Sequence, residues 1–333
     1  MNKFFFSKKL IGTAALFLSA LPVVNAAEPT SVLIGKDGWL FTPYEFAAVS
    51  DAPDTQTSIQ LFEKINKLFE RKGIALALVI VPSKIRIHED KLPAEKALDS
   101  YTAEKYENVH KSLQEAGVYV VNLNRAFLSS PHRVSDTPLF LRFDTHWSPS
   151  GAYLAAETIK SYIDINPVLK AALATTKEES YTIVWASKKT AARARDLVRL
   201  LPKDAPSYPV EQTLPFKVTR TQASQAGLLN EADSVGITVI GSSYSSKNTG
   251  YPDGLRYTLQ RDILDISIPV DQGPWIGMDA YLRDDAFKIN KPKLIVWEIP
   301  EREFRSPPNH KFRDSRYIMD NNEWVVRVTD LLK

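Results

Sequence analysis

Cysteine is absent from this 333-residue chain. Disulfides, thiol nucleophiles and thiolate metal sites are thereby excluded. Histidine is scarce: the sequence holds five, so the search for an imidazole base is short. Net charge is scarce too. The 42 basic side chains fall to 39 once Lys3, Lys8 and Lys9 of an expected leader are removed, against 39 acidic ones. A balanced chain gives no reason to expect a nucleic-acid partner. Long apolar runs are missing beyond the N-terminus. The one there, "LIGTAALFLSALPVV", is 15 residues, shorter than the roughly 20 that a membrane span needs. It follows the basic stretch "MNKFFFSKK" and precedes Val24 and Ala26, small residues at the −3 and −1 positions of a cleavage site. Residues 1–26 therefore read as a secretory signal peptide, with an uncleaved anchor as the lesser alternative. The expectation is an exported protein, soluble or singly anchored.

What is present is a chain of 44% hydrophobic residues, enough for a sizeable core. Asp37-Gly38 in "VLIGKDGWLFT" predicts a turn between extended flanks. Ile59, Phe62, Ile65, Leu68 and Phe69 recur at helical spacing over 55–72. "IALALVIVP" and "VYVVNL" predict strands on either side of a helix at about 102–116, and "LFLRF" at 139–143 a third short extended piece. Ser148 and Pro149 predict the start of a helix whose apolar face carries Leu154, Ala155, Ile159 and Tyr162. "VGITVIG" at 235–241 and "KLIVWEIP" at 293–300 are further strands. Strands apolar on both faces, alternating with amphipathic helices, imply an α/β fold with a mostly parallel sheet covered on both sides. Ligands then bind beyond the carboxyl ends of the strands. The charged stretch at about 165–232 reads as an insertion into a single domain spanning 27–333.

Two stretches carry candidate chemistry. "TVIGSSYSS" ends a strand in a glycine and small hydroxyl residues, the setting of a nucleophile elbow without its G-x-S-x-G pattern. A serine there needs a base, and the base needs an orienting acid. His88, His110, His132 and His310 stand without an acid in fixed geometry. His146 follows Asp144 by two residues in "FDTHW", and in an extended segment those side chains share a face. Asp144 can then hold the δ nitrogen and leave the ε nitrogen to a serine. Such a pair is more often a loop hydrogen bond than part of a triad, and "GSSYSS" also suits an ordinary strand-ending turn. No HExxH or HxH spacing supplies a metal site.

"FDTHWSPSGA", "IGSSYS" and "VWEIPERE" in this order, with "GKDGWLF" before them and the looser "VPSKIRIHEDKLP" and "RDLVRLLP", resemble the alginate O-acetyltransferase family of AlgJ and AlgX, over roughly residues 32–305. The resemblance implies an SGNH-hydrolase-like fold with the Asp-His motif before the serine. It implies a periplasmic enzyme that moves acetyl groups onto a polysaccharide through an acetyl-serine. Asp144 and His146 match the family's acid and base and Ser243 its nucleophile, ahead of Ser242 and Ser245. An expected aromatic-Asn-Phe element is replaced by "KNTGYPDGL", which leaves Asn248, Tyr251 and Arg256 as side-chain candidates for the oxyanion hole. Gly273 of "DQGP" is the backbone candidate, and Tyr244 adjoins the serine. Trp297, Glu298 and Arg302 are candidates to line an acceptor groove, Arg302 meeting a uronate carboxylate, although packing and turn-bracing suit them equally. No room remains for a carbohydrate-binding module, as in the AlgJ type. The implied partners are a polysaccharide acceptor, a membrane-bound O-acyltransferase that supplies acetyl, and other exopolysaccharide-assembly proteins, with no cofactor and no metal. A polysaccharide acetylesterase and a non-catalytic scaffold of the export complex are the alternatives.

Overall fold

The computed structural model describes residues 32–192, 194–221, 235–268, 272–311 and 314–333. The expected signal peptide lies outside the described residues. Among those described, no helix is long and apolar enough to cross a membrane.

In chain order the first half holds β1 (Leu33–Ile34), β2 (Leu40–Phe41), α1 (Ala52–Glu70), β3 (Ala75–Val81), α2 (Lys84–Ile87), α3 (Ser100–Glu115), β4 (Tyr119–Val121), α4 (Leu123–Ser129) and α5 (Pro149–Ile165). Then come α6 (Pro167–Ala174), β5 (Tyr181–Trp185), β6 (Thr190–Ala191), α7 (Asp196–Arg199), β7 (Gln212–Thr213) and β8 (Phe216–Arg220). The last part holds β9 (Ile237–Gly241), α8 (Tyr251–Leu259), β10 (Leu264–Ser267), α9 (Pro274–Arg283), α10 (Asp285–Ile289), β11 (Leu294–Pro300) and α11 (Asn321–Leu331).

Five strands form one sheet in the order β10-β9-β11-β3-β4, and every pairing is parallel. The period of two sorts the central strands between two cores. Leu76, Leu78, Ile80, Ile295, Trp297 and Ile299 face one core, with Phe62 of α1, Trp275 of α9 and Trp324 of α11. Ala77, Val79, Val239 and Val296 face the other, with Phe127 of α4, Ile159 of α5 and Leu255 of α8. Helices on both faces of a parallel sheet are what the continuous apolar strands predict.

The turn at Asp37-Gly38 joins antiparallel β1 and β2, and both residues take left-handed φ, 54° and 72°. The Ser148 hydroxyl accepts from the amides of Ser150 and Gly151 and caps α5 as expected. Gly151 is glycine for a steric reason: a Cβ there would sit 2.1 Å from the Leu139 carbonyl oxygen.

Two expectations need correction. Residues 139–143 join no sheet. The segment folds back on itself through a single bridge between Phe140 and Trp147, with Leu141 N donating to His146 O at 3.0 Å and Ser148 N to Leu139 O at 2.9 Å. Edge strand β10 was not read from the sequence, because Leu264 and Ile266 are its only apolar residues and both are partly buried. The charged stretch at about 165–232 contains α6, α7 and two antiparallel ribbons, β5 with β8 and β6 with β7.

Candidate active site

The serine turn is built at the carboxyl end of β9. Gly241 ends the strand, and a Cβ there would meet Ser245 Oγ at 2.1 Å and Glu298 Oε2 at 2.5 Å. Without one, the chain turns tightly over the end of β11. Ser242 Oγ accepts from Tyr244 N at 3.2 Å and caps a 3-10 turn over Ser243–Ser245. Glu298, wholly buried on β11, accepts from Ser242 N at 2.8 Å and from the hydroxyls of Ser242 and Ser245 at 3.0 and 2.9 Å. Burial pushes the Glu298 carboxyl up to about 7 against the pull of those donors. Ser243 opens the turn, where a first amide has no acceptor within the turn itself.

The acid and base meet the serine from the folded-back loop. His146 Nε2 lies 2.7 Å from Ser243 Oγ, and His146 Nδ1 lies 2.6 Å from Asp144 Oδ1. The reason differs from the one the sequence offered. The Asp144 side chain closes a turn by accepting from its neighbour's amide, His146 N, at 3.0 Å, so the pair is set by a bend and not by an extended strand. Asp144 is 1% exposed. Burial would raise its carboxyl, but the imidazole hydrogen bond, the imidazole charge and the N–H groups of Asp196 and His146 outweigh it and hold the group at about 2.

Charged groups hold this loop from both sides. Lys84, 1% exposed at the end of β3, donates to the carbonyls of Leu40, Arg142 and Asp144 at 2.6, 3.1 and 3.0 Å. Burial lowers its ammonium to about 8 in spite of Glu45, Glu211, Asp144 and Asp196 nearby. On the other side Glu211 accepts from the amides of Arg142 and Phe143 at 2.8 and 3.3 Å. Asp196 accepts from Thr145 N at 2.8 Å and from the Thr145 hydroxyl, while its own amide donates to Asp144 Oδ2 at 2.7 Å. Oxygen and nitrogen atoms of Asp144, His146 and Asp196 fall within 4.8 Å of one another. In this structure these atoms hydrogen-bond to each other, to backbone amides, to the Thr145 hydroxyl and to Ser243.

The remaining candidates are distributed unequally. Tyr244 is buried and joins the two motifs: its hydroxyl donates to Thr145 O at 2.5 Å, its ring lies 4.9 Å from the His146 ring, and its carbonyl accepts from Trp147 Nε1 at 3.1 Å. Gly273, with φ 79°, precedes α9 and lines a small pocket with Gly241, Ser242, Pro300 and Glu303. Arg302 is 14% exposed, stands 5.9 Å over the Tyr244 ring and lies between Glu45 at 3.8 Å and Glu303 at 3.9 Å. Asn248 is exposed in the 3-10 turn Lys247–Thr249.

Four candidates lie in the interior or in ion pairs. Trp297 is 0% exposed, with its ring packed on Phe62 and Trp275, and reaches only the wall of the small pocket beside Gly273. Glu298 is spent on the serine turn. Tyr251 is wholly buried, its ring 4.8 Å from Trp147. Arg256 is tied to Asp253, Asp262 and Asp265 at 3.0, 3.3 and 2.8 Å and is committed to holding α8 to the edge of the sheet. Lys84, Glu211 and Asp196 were missed as site residues. The position of Lys84 just past a central strand was the available signal; the two acids lie in a charged stretch where nothing distinguishes them from solvated side chains.

A parallel sheet with the serine turn and the Asp–His loop at its carboxyl edge places the molecule in the SGNH-hydrolase-like class. Over residues 32–301 it matches the family described as SGNH hydrolase-like domain, acetyltransferase AlgX, and the chain belongs to that family. It is 29% identical over 306 residues to the probable alginate O-acetylase AlgJ of Pseudomonas syringae pv. tomato, covering 89% of this chain and 75% of that one. Identity to the alginate biosynthesis protein AlgX of the same organism is 24% over 300 residues, covering 88% of this chain and 59% of that one. The solved O-acetyltransferase domain of Pseudomonas putida AlgJ superposes with a TM-score of 0.73 at 24% identity, covering 90% of this chain and 99% of that chain. The fold and family expected from the motifs are therefore confirmed.

Proposed function

We propose that the protein is an O-acetyltransferase that moves acetyl groups onto hydroxyls of an exopolysaccharide through an acetyl-serine on Ser243. The observation that carries this reading is the continuous chain from Asp144 through His146 to Ser243, with contacts of 2.6 and 2.7 Å. In the first half-reaction His146 Nε2 takes the Ser243 proton as Oγ attacks the acetyl carbonyl. Asp144 keeps the imidazole in the tautomer that leaves Nε2 free and stabilises the imidazolium. The Ser243 amide, with the Gly273 amide as partner, receives the oxyanion; one such donor is worth roughly 10²–10³ in rate. Collapse expels the donor's leaving group, which His146 protonates. A sugar hydroxyl then gives its proton to His146 as it attacks the acetyl-serine carbonyl, and collapse breaks the bond to Ser243 Oγ, which takes the proton back from His146. Atoms and charge balance with no cofactor.

Alginate is the acceptor named for the relatives, and a uronate polymer suits Arg302, whose guanidinium stands beside Tyr244 at the site. Export to the periplasm, and acetyl supply by a membrane-bound O-acyltransferase within an exopolysaccharide-assembly complex, belong to the same reading. The test uses an aryl acetate and intact-protein mass spectrometry on wild type and Ser243→Ala. Acetylated wild type, unmodified variant and acetate transfer to added polysaccharide are the expected results. Acetate release indifferent to the polysaccharide would make the protein an esterase. Identical behaviour of the two proteins would leave a scaffold.

A further inference from the structure

We propose that Asp196 is a positioning residue of the acid–base pair, a second carboxylate that fixes Thr145 and adds its negative charge to that of Asp144 beside the imidazole. Its carboxylate lies 3.8 Å from His146 Nδ1. It opens α7, whose N-terminal cap, Arg195, makes no side-chain capping bond. The carboxylate turns to the loop and takes both the amide and the hydroxyl of Thr145. The Asp196 amide at the same time occupies Asp144 Oδ2 at 2.7 Å, so one residue fixes the acid by its backbone and the segment between acid and base by its side chain.

The arrangement has an electrostatic cost that argues for a role. Burial and the charge of Asp144 both push the Asp196 carboxyl above its usual range, with Thr145 and His146 pulling it back. Two carboxylates this close repel, and the repulsion is relieved when the imidazole between them becomes positive. That is the state formed when Ser243 gives up its proton. The other charged or titratable groups around the ring are Lys84 behind the loop, Glu211 at its start, Tyr244 against the ring and Arg302 beyond it. Among these Asp196 is the carboxylate nearest the imidazole after Asp144 and is 39% exposed, so it can be changed without opening the core.

The catalytic consequence rests on the acyl-transfer reading, but the electrostatic one does not, and the experiment separates them. The imidazole of His146 is followed by NMR against pH in protein carrying 15N-histidine, its signal assigned by loss in His146→Gln. Asp196→Asn keeps the backbone amide and an acceptor for Thr145 and removes the charge. The His146 titration curve should move to lower pH, since the positive form loses a partner. The acid limb of Ser243 acetylation should move the same way, because neutral imidazole persists to lower pH. Asp196→Ser, a second charge-free variant, should agree, and Asp196→Ala, which releases Thr145, should also slow acetylation at every pH. Superimposable titration curves in wild type and the charge-free variants overturn the inference, whatever the acetylation assay gives. A wild type that never forms acetyl-enzyme overturns the acyl-transfer reading and leaves the titration to decide Asp196.

Discussion

The serine turn and the acid–base loop meet at one hydrogen bond, but they are held in opposite ways. The turn is anchored from within, on the core sheet: Gly241 ends β9, and buried Glu298 of β11 gathers an amide and two hydroxyls beneath it. The loop packs Leu139, Phe140 and Trp147 into the core on one face of the sheet, but its polar bend is held by ions, with carbonyls pointing to Lys84 and amides to Glu211 and Asp196. The carboxylates respond accordingly. Glu298 is pushed up to about 7 by burial, against its serine donors and Arg302, whereas Asp144, beside an imidazole and two amides, is held at about 2. The serine turn is positioned by hydrogen bonds to one buried carboxylate and needs no charge of its own. A base that must become charged needs surroundings that welcome the charge.

The largest effects should come from cutting the contact between the halves. Ser243→Ala and His146→Ala should each slow acetyl-enzyme formation by about 10³-fold or more, and the double variant should be little worse than either alone, since the two act as a unit. Additive losses in single-turnover mass spectrometry would mean that they work separately. Next, Gly241→Ala should break the turn while sparing the loop, because its Cβ has no room beside Ser245 and Glu298. We expect a stability loss of about 1–3 kcal/mol in urea titrations and a much larger loss of acetylation.

The pH dependence of stability should distinguish the halves by sign. Asp144 titrates lower folded than unfolded, so its contribution of roughly 2 kcal/mol is present above the unfolded carboxylate range near pH 4 and is lost as pH falls toward 2. Asp144→Asn should flatten the unfolding curve in that window. Glu298 titrates higher folded than unfolded, so protonation favours the fold, and stability should rise as pH falls from about 7 through the ordinary carboxylate range. Glu298→Gln should remove that rise, and denaturant midpoints against pH measure both. The smallest effect expected is that of Trp147→Phe, which loses the hydrogen bond to Tyr244 O across the seam at a cost of about 1 kcal/mol and slows acetylation only slightly.

Much of this division was legible in the sequence. The continuous apolar strands gave the parallel sheet, and their polar ends gave the site edge. Ser148 and Pro149 marked the helix after the loop, and the scarcity of histidine left His146 as the base. The bend at Asp144 was not legible, because a local side-chain turn leaves no periodic trace. For Trp297 and Glu298 the sequence left groove-lining and packing open, and the structure takes the packing alternative. Lying at a strand's carboxyl end does not tell which face a side chain takes, and Glu298 is hidden by a turn 53 residues earlier in the chain. Asp196 and Glu211 are ordinary acids in a charged stretch until the fold brings them to the loop.

Lys84 has a consequence for chemical self-protection. An acetyl group on Ser243, as proposed, would threaten nearby amines, and the Lys84 amine donates to the Asp144 carbonyl of the acid–base loop. Its three N–H bonds end on the carbonyls of Leu40, Arg142 and Asp144, and the rings of Trp39 and Phe41 stand 5.4 and 5.1 Å from its nitrogen. Burial brings the Lys84 ammonium down to about 8, toward its nucleophilic form, but at 1% exposure it has no open approach for an ester, so on the proposed reading burial shields the lysine that steadies the loop from the acyl group beside it.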